Sequence, residues 1–256
     1  MRAVPVVYVT GLCLATTAVL VLEFGTAPRP AAVRWPVSGV PAVSEPAPPA
    51  PTGHVADLPE GLPFPQRGAG TWHVVPGTFG SAGTAYSVEV EDGTVPPRDE
   101  DNFAAVVDYA LAHPRGWART GEVFHRVDGG TEPDLRVRLT SQETARRLCG
   151  FELPYDVSCR IGSEVHVSAA RWFRGAHTYR GELRSYRLYV VNHEVGHFLG
   201  RGHEPCPADG GPAPVMMQQT LSTANDELAA ITSGVDQGVT ITADGKACTA
   251  NPWPTG

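Results

Sequence analysis

Val190-Val191-Asn192-His193-Glu194-Val195-Gly196-His197-Phe198-Leu199-Gly200-Arg201-Gly202-His203-Glu204 carries more structural information than any other part of this 256-residue chain. His193 and His197 are four positions apart, so on a helix they project from one face, one turn from each other. Two imidazoles so placed can each present a nitrogen to a single ion. His203 is six positions further on; were the helix to continue, it would lie about 9 Å along the axis and roughly 240° around it, out of reach. Gly200 removes the difficulty. Glycine enters the left-handed conformation that ends a helix without a Cβ clash, and the chain can then turn back to bring His203 to the other two. Gly196 costs the helix about 1 kcal/mol relative to alanine, which is read as room for a close neighbour.

A hydrolytic zinc ion needs three protein ligands and one open position, and His193, His197 and His203 meet the first requirement. Glu194, beside the first ligand, is the candidate catalytic residue. A carboxylate there can take a proton from water whose pKa the ion has lowered to near neutrality. A bare H-E-x-x-H is a weak signal, whereas the full eleven-residue spacing, with its glycine and third histidine, is a strong one. One Zn2+ per chain is expected. No phosphate loop, nucleophile elbow or cofactor fingerprint accompanies it.

This pattern resembles the metzincin clan of zinc metallopeptidases. The resemblance implies a mixed sheet with a core helix and a zinc-bearing active-site helix, and a methionine turn beneath the metal. Pro214-Val215-Met216-Met217-Gln218-Gln219 stands in the expected place, with Met216 the better match for the turn methionine and Met217 the alternative. Astacin-like members carry a ligating tyrosine two residues after that methionine; Gln218 stands there, so no fifth protein ligand is expected. More closely, residues 189–197, 213–220 and Asn251-Pro252-Trp253-Pro254 resemble an exported actinobacterial family described only as a domain of unknown function, over about residues 84–254. Relative to that family, residues 221–247 look like an insertion whose role the sequence leaves open, covering the cleft being one reading. The implied activity is a zinc-dependent endopeptidase acting on protein or peptide substrates, with an extended substrate pairing to an edge strand above the zinc helix. Residues 155–160 are the candidate strand. Two other readings stay open: a peptidase for peptidoglycan cross-links, and a zinc-stabilised binding module at the cell envelope that lacks turnover.

Outward from the motif, the sequence reads as α+β. Residues 84–91 alternate as a strand. Asp99 then caps a helix whose Phe103, Val106, Val107, Ala110 and Leu111 form one apolar stripe, stopped by Pro114. Strands are expected at 122–127 and 135–140, and a short helix at a Thr140-x-x-Glu143 capping pattern. Two more strands, 155–160 and 164–168, are joined through Gly162-Ser163. The zinc helix covers about 181–199 and a short helix 225–231. Arg180, Arg184 and Arg187 are read as a solvated helix face, His166 and His177 as residues outside the metal site, and Trp117, Trp172 and Trp253 as packing.

The chain divides into three parts. Residues 1–25 hold an uncharged run, 4–22, about 28 Å long as a helix and suited to a membrane anchor, with a cleaved signal segment as the alternative. Residues 26–69 form a Pro/Ala-rich stalk: eleven of the 24 prolines fall between Pro28 and Pro65. The stretch from Leu58 to Pro63 is the part of it suited to pack on the domain, which comprises residues 70–256. The expected location is the cell membrane, single-pass, with the domain outside the cytoplasm, or secretion. Four downstream cysteines suit an oxidising compartment, and local pairing favours Cys149 with Cys159 and Cys206 with Cys248, worth about 3 and about 4 kcal/mol by loop closure. With 27 acidic against 20 basic residues, the chain is not expected to bind nucleic acid.

Overall fold

Tyr86, Val88 and Val90 are buried in the main core, whereas the alternate residues Ser87, Glu89 and Glu91 are buried among polar groups on the other side of the same strand. This period of two layers the molecule. A computed structural model describes residues 53–94, 97–150, 152–236 and 238–254. The expected membrane segment and the stalk as far as residue 52 lie outside the described residues; among those described, no helix is long and apolar enough to cross a membrane.

The fold is mixed α+β. Its sheet comprises β1 (Trp72–Val74), β2 (Thr84–Glu91), β3 (Phe124–Arg126), β4 (Leu135–Thr140), β5 (Cys159–Ile161) and β6 (Glu164–Ser168). The strand order is β1-β2-β4-β6-β5, with β3 also on β2. β2, β4 and β6 run parallel, and β5 returns antiparallel to β6 as an edge strand. The helices are α1 (Pro97–Ala112), α2 (Gln142–Cys149), α3 (Ala169–Arg174), α4 (Leu183–Phe198) and α5 (Asn225–Ile231). Phe103, Val107, Ala110 and Leu111 of α1 share one core with Val137, Val165 and Val167 of the sheet and Val191 and Val195 of α4. The expected stripe thus faces inward. The helix opens at Pro97 rather than after Asp99, because proline has its φ preset for the first helical position and lacks only an N–H that would have no partner there.

Three expectations change. The capping box at α2 does not form: the N-cap falls on Ser141, Thr140 Oγ1 pairs with His166 Nδ1, and Glu143 accepts from Arg67. The buried carboxylate of Glu91 accepts the Ser141 N–H at 2.7 Å and the Thr144 hydroxyl at 2.8 Å, placing a negative group at the positive end of the helix. The strand expected at 155–160 contracts to β5. Upstream of it the chain is engaged by side chains instead of a ladder: Asp156 takes Gln142 and Arg146, Arg171 takes the Asp156 carbonyl, and Ser158 Oγ accepts the Ser168 N–H. Arg187 does not lie on a solvated face; its guanidinium stacks 4.5 Å from the Trp172 ring and donates to that residue's carbonyl.

Residues 54–67, read as part of the stalk, form a strap against the body. Ala56 is buried, and the fully buried Arg171 of α3 donates to the carbonyls of Ala56, Asp57, Asp156 and Gly175. Arg174 holds the Leu62 carbonyl, and the Glu143 N–H donates to Gln66. A compact unit accordingly spans residues 50–256. Both expected disulfides are present, Cys149–Cys159 and Cys206–Cys248. The second joins a smaller cluster of Ala56, Ala213, Met217, Leu221 and Leu228.

Candidate metal centre

Ten residues of α4, between Tyr186 and Gly196, are buried, so this helix runs through the interior and is not an amphipathic surface element. His193 and His197 stand on it one turn apart. At its end Gly200 adopts φ +78°, the Gly200 N–H donates to His197 O at 3.1 Å, and the Arg201 N–H donates to Gly196 O at 2.9 Å. These two bonds close a Schellman turn that reverses the chain and delivers His203.

The three imidazoles converge as the spacing implies. Their ligand nitrogens all lie within 4.8 Å of one another, and Nε2 of His197 is 3.1 Å from Nε2 of His203. Ligands of a tetrahedral zinc, each about 2.0–2.1 Å from the ion, stand roughly 3.3 Å apart, so this pair is already near that spacing. Orientation is fixed from behind. Nδ1 of His193 pairs with the Val215 carbonyl at 2.8 Å, and Nδ1 of His197 with the Arg201 carbonyl at 2.9 Å, so each ring offers Nε2. Burial, with the neighbouring His197 and His203, holds His193 well below its ordinary pKa. Burial also lowers His197; the Arg201 carbonyl opposes this, and the charge of Arg160 adds to it. Neutral imidazole is the form that binds metal. The three histidines can therefore hold a metal ion.

Beneath them lies the methionine turn, closed by the Met217 N–H donating to Pro214 O at 3.0 Å. Met216 is the residue under the helix: a Cβ on Gly196 would collide with its sulfur and come within 2.8 Å of Cζ2 of Trp117. Met217 belongs to the smaller cluster. Tyr189 Oη donates to Met217 O, and the Glu204 N–H to Met216 O, so the turn is tied to chain on both sides of the ligands. Gln219 and Asn251 brace it further. The Gln219 amide donates to Pro214 O and Asn251 O, the Asn251 amide to Ala213 O, and Asn192 to Pro252 O. Gln219 and Asn251 lie in segments that the sequence singles out, but nothing local assigns them this bracing role.

Glu194 is 4 % exposed and opens on the same cleft as the histidines. Burial alone pushes its carboxyl up to about 8. A dication held one residue away acts in the opposite sense, favouring the carboxylate. The cleft has a volume of ≈ 860 Å3. Leu153, Val157, Cys159 and Arg160 form one wall, and Gly234, Val235 and Asp236, from the segment read as an insertion, line it as well. Gln218 lines it too. His166 is apart from the three ligands, buried on the polar side of the sheet next to Thr140, and His177 opens a 3-10 turn before α4.

Residues 58–256 match the family described as "Protein of unknown function (DUF3152)", and the chain belongs to that family. No curated protein and no solved structure matches it.

Proposed function

We propose that this member of the family is a metzincin-type, zinc-dependent endopeptidase of an exported or membrane-tethered protein. The observation that carries the reading is the convergence of three imidazoles, two of them oriented through Nδ1, beside a buried glutamate in an open cleft. The donor set fits zinc: three imidazole nitrogens within 4.8 Å of one another, one pair of them already 3.1 Å apart, and no carboxylate or thiolate in the described group. The Schellman turn at Gly200 and Met216 beneath Gly196 support the metzincin assignment. Two disulfides support an oxidising compartment.

Bound there, zinc would supply Lewis acidity to a water and to a substrate carbonyl. Glu194 accepts a proton as the water oxygen bonds to the carbonyl carbon. It then returns that proton to the amide nitrogen as the C–N bond breaks, so one peptide becomes a carboxylic acid and an amine.

The test is hydrolysis of a diverse peptide library by the zinc-loaded full chain and by its Glu194→Ala variant, with metal content measured in both. The expected outcome is about one zinc per chain in each protein and a loss of turnover of at least about a hundredfold in the variant. Equal activity in the two, or no cleavage by either, overturns the peptidase reading.

A further inference from the structure

The register of β5 on β6 aligns Arg160 with Val165 and Cys159 with His166. Paired residues share a face of the sheet, and Val165 belongs to the core against which α4 packs. Arg160 therefore stands on the side of the sheet that carries the three histidines, and it lines their cleft. Its position is firm at both ends, because Cys159 is bonded to Cys149 and Gly162-Ser163 turns the chain into β6.

Charge singles it out. Histidines aside, the charged residues of the cleft are Glu152, Arg160, Glu194 and Asp236. Of these four, Arg160 is the one cation. The Glu152 carboxylate lies over the Cα of Gly150, and Asp236 accepts the Gly238 N–H at 2.9 Å. Glu194 is buried beside the histidines. Among the described residues no carboxylate lies within ion-pair distance of Arg160, whereas Arg136, Arg138 and Arg146 on neighbouring elements each have one. An exposed guanidinium on a rigid strand, facing a cleft and lacking an internal counter-charge, is arranged to receive a planar anion through two parallel hydrogen bonds.

We infer that Arg160 is the specificity-determining residue of the cleft and selects peptides that carry a carboxylate near the bond to be cut. The inference rests on the peptidase reading for the cleavage step, but not for binding itself. The carboxylate has two possible sources, an Asp or Glu side chain or a free C-terminal carboxyl group, and they share the chemistry that Arg160 recognises.

The test measures binding and cleavage separately. Fluorescein-labelled peptides are titrated into the zinc-loaded full chain bearing Glu194→Ala, in matched sets: Asp or Glu against Asn or Gln, and free C-terminus against amide. Binding about tenfold tighter is expected for carboxylate-bearing peptides, and Arg160→Gln abolishes the difference. Arg160→Glu inverts it in favour of Lys-bearing peptides, a gain that a misfolded protein does not produce. The side-chain and C-terminal sets identify the source. Equal or undetectable binding of the matched peptides, or a preference that survives Arg160→Gln, overturns the assignment. The same peptides are then offered to the protein with Glu194 intact. Carboxylate-selective binding without cleavage overturns the peptidase reading alone, and cleavage without carboxylate preference overturns the role of Arg160 alone.

Discussion

The sulfur of Met216 occupies the space that a Cβ on Gly196 would need. Gly196→Ala gains about 1 kcal/mol of helix propensity. It also drives a backbone-borne atom into Met216 and Trp117, and overpacking of this kind costs about 1–3 kcal/mol, more when the intruding atom cannot rotate away. The overlap wins. Urea unfolding of the metal-free variant is expected to show a net loss of about 1 kcal/mol, and a variant more stable than wild type would falsify the contact.

At Gly200 the cost is conformational. With φ at +78°, any L-residue there is strained, by about 1–2 kcal/mol for alanine and more for a β-branched side chain, while asparagine is the best tolerated. Stability should fall in the order Gly, Asn, Ala, Val. Zinc affinity, measured by competition with a chelator, should follow the same order, because this turn delivers His203. Loss of stability with unchanged affinity would separate the turn from the site.

These two positions also show what is legible in the chain. The spacing of His193, His197 and His203 and the glycine between them are local, and local geometry translates directly into ligand placement. The disulfide pairing and the inward stripe of α1 are local in the same sense. Glu91 capping α2, Arg171 collecting carbonyls from three segments, and Trp117 seated beside Met216 depend on residues far apart in sequence. No periodicity announces such partners. The strap reads as stalk for a related reason: its prolines signal an extended chain, and an extended chain can lie on a surface as well as leave it. The expected strand at 155–160 has the right composition, but Asp156 and Ser158 find side-chain partners that take the backbone out of the ladder.

On the polar side of the sheet, burial pushes the Glu89 carboxyl up. Hydrogen bonds from Ser87, Arg138 and Arg136 together outweigh this and hold it below its ordinary value of 4.5. A depressed folded-state pKa gives stability that is fully present above about pH 4.5 and is lost as pH falls through the folded value. Glu89→Gln should therefore flatten the acid side of the stability profile. It should also cost about 1–2 kcal/mol at neutral pH, since Arg136 and Arg138 lose their shared partner but keep Glu132 and Glu164 respectively. An unchanged acid limb in thermal melts between pH 3 and roughly pH 6 would assign the acid sensitivity to other groups.

Two of the four carbonyls that Arg171 engages belong to the strap. A fragment that starts at Gly70 loses Ala56 and Asp57 and leaves a buried guanidinium half satisfied. Compared with a fragment starting at Gly53, it should unfold about 2–4 kcal/mol more easily, by the cost of unmet hydrogen bonds to a buried charge. Guanidinium titrations of the two fragments make the comparison, and coincident curves would show that the strap is dispensable.

Arg171 also sets an order of assembly. Its acceptors at Ala56 and Asp57 lie more than a hundred residues before it, and Gly175 lies after it. Translation proceeds from the N-terminus, so the strap emerges early and has nothing to dock on until α3 and the wall carrying Asp156 have been made. Closing so long a loop comes late in folding. Among the first residues of the domain to be synthesised are thus some of the last to find their place.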